Sequence, residues 1–155
     1  LVINLFIAQA LDEKIITVNG GEQYRPFLHV SDAADSIIFS MEKNLTGTYN
    51  VISENLTILQ AAERIQKLTS CEIRINKDDQ DNRNYNVSSE KINQVGFKPS
   101  KKIEDAFIEI KNSIENGDIK DFRENEYSNY KLLFASKEMQ DKVFIHGVSG
   151  SLDVP

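Results

Sequence analysis

Apolar positions along this chain recur with two periods, one typical of helices and one typical of strands. Helical spacing predicts amphipathic helices at residues 2–12, 31–41, 57–68, 88–95, 101–116 and about 128–142. Short β-branched or alternating runs predict strands at residues 15–18, 27–30, 49–52 and 73–75. Short strands that alternate with amphipathic helices in this way indicate an α/β fold.

Polar residues and glycines mark where the predicted helices begin and end. Ser31 and Thr57 can cap helix N-termini, and Gly96 and Gly117 are typical of helix C-termini. In the helix that Ser31 caps, the apolar residues form a stripe that we expect to be buried, which consists of Ala33, Ala34, Ile37, Ile38 and Met41.

The predicted strands are few for a self-contained doubly wound sheet, so we expect some of them to pair with segments outside this chain. The chain opens at Leu1, inside an apolar periodic segment without a cap, which is typical of a fragment. We expect residues 1–130 to form one region and residues 131–155 to form a terminal helix and a tail.

Composition and charge limit the kinds of partner and the cellular location that we expect. The formal net charge is -6 and no cluster of basic residues is evident, which argues against nucleic acid; Lys101 and Lys102 are interpreted as solvated helix surface. Cys71 is the only cysteine, as expected in a reducing compartment. Apolar runs fall short of the ~18 residues of a membrane span. A cytoplasmic protein without membrane segments is expected.

The segment from Gly20 to Asp32 offers the first candidate chemistry. A Gly-Gly turn is followed by Arg25 at the mouth of a predicted strand, and a helix N-terminus comes next. An arginine beside a helix N-terminus can hold a phosphate group. Most such pairs in proteins hold no ligand, so the residues alone leave both interpretations open.

Three segments together carry a family resemblance. Residues 20–34 follow the pattern GG-x-Q-x-R-x-F-x-H-V-x-D-x-A, residues 47–51 read GTYNV, and residues 81–92 read DNRNYNVSSEKI. In this order they resemble the NAD-dependent epimerases and dehydratases that modify nucleotide sugars, within the extended short-chain dehydrogenase/reductases. The resemblance covers residues 2–130 and implies the C-terminal, substrate-binding part of such a Rossmann-type enzyme, without its N-terminal half.

The resemblance implies roles for individual residues. Arg25 and Arg83 would contact the substrate pyrophosphate from two sides, although Arg83 could instead neutralise its own acidic loop. Gln23 is a further residue on the substrate side, and Tyr85 either stacks on the nucleotide base or packs within the protein. His29 and Asp32 are structural residues that tie a strand to the following helix.

The chemistry of this family also requires features that we do not find here. The family binds NAD(P) on a GxxGxxG turn and uses a YxxxK pair as its acid/base, and this chain has no such glycine motif. Tyr127 and Lys131 match YxxxK by spacing, but they follow the substrate segments instead of preceding them. We therefore assign no catalytic residue and no metal site, and we expect this chain to bind no cofactor by itself.

The expected partners are a nucleotide sugar and the missing Rossmann half, and the sequence also allows a homodimer. By itself the chain is expected to be inactive. Two alternatives stay open: a non-catalytic module that binds a nucleoside diphosphate or a partner chain, and, least favoured, a free-standing enzyme that uses Tyr127 and Lys131.

Overall fold

The computed structural model describes residues 2–77 and 83–127. The chain forms two compact units, residues 1–118 and residues 119–155. In the first unit the helices are α1 (Val2–Asp12), α2 (Val30–Glu42), α3 (Ile58–Thr69), α4 (Glu90–Gln94) and α5 (Ile103–Glu115). The strands are β1 (Ile15–Asn19), β2 (Tyr24–Phe27), β3 (Glu54–Thr57) and β4 (Glu72–Asn76). In the second unit, Asn125–Tyr127 form a 3-10 turn.

The strands form two separate pairs. β1 runs parallel to β4, with Ile16 opposite Ile73 and Val18 opposite Ile75. β2 runs antiparallel to β3, with Arg25 opposite Leu56 and Phe27 opposite Glu54. A parallel pair needs a long crossover connection, which α2, β3 and α3 supply between β1 and β4.

The core lies where α1, α3 and α5 meet β1. Helical spacing brings the apolar side chains of each helix to one face, and that face is turned inward. The buried cluster consists of Phe6, Ile7, Ala10, Ile16, Val18, Ile58, Ala61, Ala62, Ile65, Cys71, Ile103 and Phe107. Cys71 is part of this packing and is buried.

Most of the predicted elements are confirmed, with ends that shift by a few residues. Thr57 caps α3, and its Oγ1 accepts from the backbone N–H of Gln60 at 3.1 Å while the Gln60 side chain accepts from Thr57 N–H at 2.9 Å. Gly96 follows α4 with a φ of 105°, a left-handed conformation that glycine adopts without strain. The predicted helix at residues 128–142, the tail and Lys131 lie outside the described residues.

The turn after β1 depends on Gly21. Its φ is 115°, and a Cβ at this position would lie 3.3 Å from Leu59 Cβ and 3.4 Å from Val18 Cγ1. Glycine is therefore required both for the backbone conformation and for the close approach of α3. The Gly-Gly turn predicted from the sequence is confirmed.

The second strand begins and ends three residues earlier than predicted. The prediction for residues 27–30 is wrong because β2 pairs with β3 over Tyr24–Phe27, and α2 already begins at Val30. Ser31 is accordingly not the cap. His29 holds that position, and its Nδ1 accepts from the backbone N–H of Ser31 at 3.2 Å.

The third predicted strand, at residues 49–52, is also wrong. The structure places β3 five residues later, at Glu54–Thr57, where it finds β2 as a partner. Residues 49–52 have no strand partner among the described residues, so their β-branched composition is not expressed as a strand. Tertiary pairing has overridden local propensity here.

The apolar stripe of α2 is exposed, contrary to the sequence prediction. Val30 is 76% exposed, Ile37 63% and Met41 73%, and Ile38 is exposed with them. The side of α2 that is buried carries Asp32 and Ser36. Within this chain α2 therefore packs through a polar face and leaves its apolar face uncovered.

The buried carboxylate of Asp32 joins α2 to the segment before α5. It accepts from the backbone N–H of Ser100 at 3.1 Å, from that of Lys101 at 2.8 Å and from Ser100 Oγ at 3.2 Å. A carboxylate that accepts several N–H groups satisfies donors that burial would otherwise leave unpaired. The structural role expected for Asp32 is thus a link between elements distant in sequence.

A second link is the ion network around Arg64 on α3. Arg64 donates from Nε to Glu104 Oε1 at 2.9 Å and from Nη2 to Glu104 Oε2, and its Nη1 lies 2.6 Å from Glu54 Oε2. Hydrogen bonding to Arg64 lowers the pKa of Glu104, and hydrogen bonding to Glu104 raises the pKa of Arg64. The network connects α3, β3 and α5.

Among the described residues, no helix is both long enough and apolar enough to cross a membrane.

We expect Asp32→Asn to lower the free energy of unfolding by about 2 kcal/mol. The amide replaces one carboxylate oxygen by an NH₂ group, which cannot accept the hydrogen bonds that Ser100 and Lys101 donate. Urea unfolding followed by circular dichroism measures the effect. Asp35→Asn is the matched control, since Asp35 is exposed on the same helix and its replacement should cost less than about 0.5 kcal/mol. Equal losses in the two variants would contradict the role of Asp32.

We expect Arg64→Met to cost about 2 kcal/mol near neutral pH, because it leaves the largely buried Glu54 without its main partner. The pKa of Glu104 is lowered in the folded state, so its contribution is present above its unfolded pKa and is lost as pH falls through the folded value.

The difference between wild type and Arg64→Met should therefore shrink between neutral pH and about pH 3, as urea unfolding at each pH would show. Arg74→Met, which changes an exposed arginine on β4, is the control, and its free energy of unfolding should stay close to that of wild type at both pH values. A pH-independent difference would contradict the electrostatic origin.

Candidate functional site

A cavity of about 1010 Å³ opens in the first unit. Its wall is formed by the first half of α1, by β2 and the residues that follow it, by residues 53–54 and by α5 with the two residues before it. Much of the wall is apolar, and polar or charged side chains enter it at a few positions, an arrangement typical of small-molecule sites.

Arg25 enters this cavity from β2. Its Nη1 donates to the carbonyl oxygen of Tyr24 at 2.8 Å and to the carbonyl oxygen of Arg83. The guanidinium also lies over the ring of Tyr85, with Cζ 5.2 Å from the ring centroid. The side chain is therefore oriented by its neighbours, which favours a fixed position for its charge.

Arg83 lines the same cavity, although 58 residues separate it from Arg25. Asparagine side chains hold its segment in place. Asn84 Oδ1 accepts from the backbone N–H of Tyr24 at 2.9 Å, and Asn55 both donates to the Val87 carbonyl at 2.9 Å and accepts from the Val87 N–H at 3.0 Å. The fold thus brings together the two arginines that the resemblance implicates.

The acidic residues that could neutralise Arg83 lie at positions 78, 79 and 81, outside the described residues. Neutralisation of Arg83 by its own acidic loop therefore stays a prediction from the sequence.

Gln23 and Tyr85 hold different positions. Gln23 lines the cavity, but its amide braces the turn after β1: Nε2 donates to Asn19 O at 2.8 Å, and Oε1 accepts from Gly21 N–H at 2.7 Å. Tyr85 is half exposed and contacts Arg25, and it is not part of the cavity wall. Gln23 therefore lines the cavity while it stabilises the turn after β1, and Tyr85 packs against the guanidinium of Arg25.

His29 combines two contacts at the end of β2. While its Nδ1 caps α2, its Nε2 lies 3.3 Å from Glu109 Oε2 on α5. Because Nδ1 accepts a hydrogen bond and Nε2 faces a carboxylate, the ring carries its proton on Nε2. The structural role expected for His29 agrees with these contacts, although it belongs to a helix cap and not to a strand.

The cavity wall includes polar residues that were not singled out from the sequence as site residues, among them Ser53, Glu54, Lys101 and Lys102. The interpretation of Lys101 and Lys102 as mere solvated helix surface is incomplete, because both are half exposed and both line the cavity. They reach it because Asp32 binds the backbone N–H of Lys101, and Ser53 Oγ donates to the Lys101 carbonyl at 2.7 Å. No local sequence signal reveals such a contact.

The Gly20–Gly21 turn does not have the arrangement of a dinucleotide-binding turn. A glycine-rich dinucleotide turn leads from a strand into a helix and offers its backbone N–H groups to the pyrophosphate. Here the Gly20–Gly21 turn leads into β2, and both N–H groups are engaged, that of Gly20 by the Asn76 carbonyl at 2.8 Å and that of Gly21 by Gln23. Within the same residues, no group of His, Cys, Asp or Glu side chains could hold a metal ion.

Comparisons with known proteins identify sequences and structures that are similar to this chain. Residues 1–52 match the NAD dependent epimerase/dehydratase family model. Over 109 residues the chain is 35% identical to UDP-glucuronic acid decarboxylase 3 of Arabidopsis thaliana, which covers 66% of this chain and 32% of that protein.

Solved structures show the same relationship. dTDP-glucose 4,6-dehydratase of Bacillus anthracis, solved with NAD, superposes with a TM-score of 0.62 at 26% identity over 76% of this chain and 40% of its own. The enzyme WbmF of Bordetella bronchiseptica, solved with NADH, gives 0.61 at 28% identity over 77% and 38%.

UDP-glucose 4-epimerase of Thermus thermophilus shares the fold, with a TM-score of 0.54 at 20% identity over 68% of this chain and 37% of its own. The chain spans about a third of the length of the curated relative and about two fifths of these solved chains. Together, the family match over residues 1–52, the relative and the solved structures show that this chain is similar to members of the NAD-dependent epimerase/dehydratase family.

Proposed function

We propose that residues 1–130 form the part of an NAD-dependent epimerase or dehydratase that binds a nucleotide sugar. In this proposal Arg25 and Arg83 hold the diphosphate of that nucleotide sugar. The observation that carries this proposal is that both arginines line one cavity although they come from segments far apart in sequence. Three of the relatives described above are named for their action on UDP-glucuronic acid, dTDP-glucose and UDP-glucose, which supports the substrate class.

The chemistry of the two side chains suits a diphosphate. Each guanidinium keeps its charge throughout the physiological pH range and presents a planar fork of N–H donors to phosphate oxygens. Lys101 and Lys102 add positive charge to the same cavity, whereas Glu54 and Glu109 are the carboxylates in its wall. This excess of cations favours a ligand that carries negative charge.

The uncovered surfaces of the chain support a second part of the proposal, that a cofactor-binding half packs against it. The apolar stripe of α2 is exposed, and the neighbouring residues 49–52 have no strand partner among the described residues. An exposed apolar patch of this kind is typical of a surface that another domain covers. A Rossmann sheet could pair with residues 49–52 and cover α2 at the same time.

The division of labour follows from this arrangement. NAD(P), when bound to the other half, supplies the hydride chemistry that this family performs. The residues of this chain bind and orient the substrate, and the apolar wall of the cavity displaces water from it. A cytoplasmic location is part of the same proposal.

The first prediction concerns binding. We expect Arg25→Ala and Arg83→Ala each to weaken the binding of UDP or dTDP by roughly tenfold or more, because each removes charge-assisted hydrogen bonds to phosphate oxygens. Calorimetry with UDP, GDP, CDP and dTDP measures this loss. Arg74→Ala, which removes an exposed arginine outside the cavity, is the control. Unchanged affinity in both cavity variants would remove the diphosphate role.

The second prediction concerns catalysis. The chain by itself should convert no nucleotide sugar when NAD is added, because its described residues offer neither a dinucleotide turn nor an assigned acid/base. Product analysis by chromatography after incubation with UDP- and dTDP-sugars measures turnover. Conversion above the level of a heat-denatured control would show that the chain is an enzyme by itself, and its loss in Tyr127→Phe would then indicate the YxxxK pair.

A further inference from the structure

The ring of Tyr85 lies beside the candidate diphosphate site without being part of the cavity wall. Arg25 Cζ lies 5.2 Å from the centroid of this ring, and Tyr85 is half exposed. A guanidinium within about 6 Å of a ring centroid is attracted by the negative face of the ring. The contact therefore stabilises one orientation of a side chain to which we assign the diphosphate.

The segment that carries Tyr85 is anchored on both sides of this residue along the chain. Asn84 Oδ1 accepts from the backbone N–H of Tyr24 at 2.9 Å. Two residues beyond Tyr85, the backbone N–H and carbonyl of Val87 bind the side chain of Asn55 at 3.0 and 2.9 Å. None of these contacts involves the guanidinium, so they hold the ring in place independently of it.

The hydrogen bonds of Arg25 and its contact with Tyr85 restrict the side chain in different ways. Nη1 donates to the carbonyl oxygens of Tyr24 and Arg83, which fixes the position of that nitrogen. The ring lies against the centre of the guanidinium and so limits the tilt of its plane. A planar fork of donors binds phosphate oxygens only in a matching orientation. Fixing that orientation before the ligand arrives lowers the entropic cost of binding.

The sequence also allows Tyr85 to stack on the nucleotide base. That role needs the ring in the wall of the cavity, where the base of a bound nucleotide would lie. Tyr85 is not part of that wall, and its ring is engaged by Arg25. The geometry therefore favours a role through Arg25 over a direct contact with the ligand.

We propose that Tyr85 is a positioning residue for the diphosphate, because it holds the Arg25 guanidinium in the orientation that meets phosphate oxygens. Tyr85 itself does not touch the ligand. This inference rests on the proposed function, since it assumes that Arg25 binds the diphosphate. The effect of the ring passes through Arg25, so it should be the same for inorganic pyrophosphate, which has no base, and for a nucleoside diphosphate.

Two replacements of Tyr85 test the role of its ring. Tyr85→Leu removes the ring but keeps an apolar side chain, whereas Tyr85→Phe keeps the ring face and removes only the hydroxyl group. We expect Tyr85→Leu to weaken the binding of pyrophosphate and of UDP, GDP, CDP or dTDP by a similar factor, roughly three- to tenfold. Tyr85→Phe should bind them like wild type. Calorimetry on the full chain measures these affinities.

Two further variants serve as controls. In an Arg25→Ala background, Tyr85→Leu should cause no additional loss of affinity, because its effect passes through Arg25. Tyr49→Leu removes another ring that lies close to a cation, with Lys91 Nζ 4.1 Å from its centroid. Tyr49 is not in the wall of the cavity that Arg25 lines, so its replacement should leave the affinity unchanged.

The orientation of Arg25 is also measurable without a ligand. A ring face shields the protons of a group that lies over it. The side-chain NMR signals of Arg25, assigned by their loss in Arg25→Ala, should therefore move downfield in Tyr85→Leu and stay near wild type in Tyr85→Phe. Unmoved signals in Tyr85→Leu would overturn the proposal. The same spectra show whether each variant is folded, and Tyr85→Met takes the place of Tyr85→Leu if the latter does not fold.

The outcomes separate this inference from the proposed function. If Arg25→Ala weakens binding and Tyr85→Leu does not, the diphosphate site stands and the positioning role of Tyr85 is overturned. A loss confined to the nucleotides would show that the ring contacts the base, and an equal loss in Tyr85→Phe would show that the hydroxyl group acts. Either result overturns the inference. If the wild-type chain binds neither pyrophosphate nor any of the four nucleotides, the proposed function fails and the inference fails with it.

Discussion

The antiparallel pairing of β2 with β3 is the constraint on which the candidate site depends. It places Arg25 and Glu54 on one face of a two-stranded ribbon, and it brings Asn55 to the position from which it binds Val87. Through Asn55 and Asn84 the irregular segment that carries Arg83 is held against the same ribbon. A shift of one residue in this register would turn Arg25 to the opposite face and dismantle the cavity.

Charged side chains tie the later part of the chain to this ribbon, in addition to the apolar packing of α5 in the core. Asp32 binds the backbone of Ser100 and Lys101, and Arg64 joins Glu54 of β3 to Glu104 of α5. These contacts put two lysines into the cavity wall. Because hydrogen bonds and ion pairs are directional, they fix positions that an apolar contact would leave adjustable. The same network leaves one oxygen of Glu54 facing no donor.

The apolar face of α2 is not buried by contacts within this chain. A helix with an apolar stripe normally packs that stripe inward. Here α2 is held through Asp32 and Ser36 and through its His29 cap, so the stripe is left outside. Residues 49–52, which have no strand partner among the described residues, follow α2 in sequence. Both features fit the proposal that another domain covers this surface.

The sequence by itself determined the features that depend on near neighbours. Helical periodicity, the Thr57 cap and the Gly21 turn each act over a few residues, so α1, α3, β1, β4 and α5 were predicted from their own segments. The resemblance pointed to Arg25 and Arg83. Only the tertiary structure decided which strands found partners, which face of α2 is buried, and that Glu54, Lys101 and Lys102 share the cavity with the arginines. These features depend on contacts between residues far apart in sequence, and such contacts leave no periodic trace in either segment.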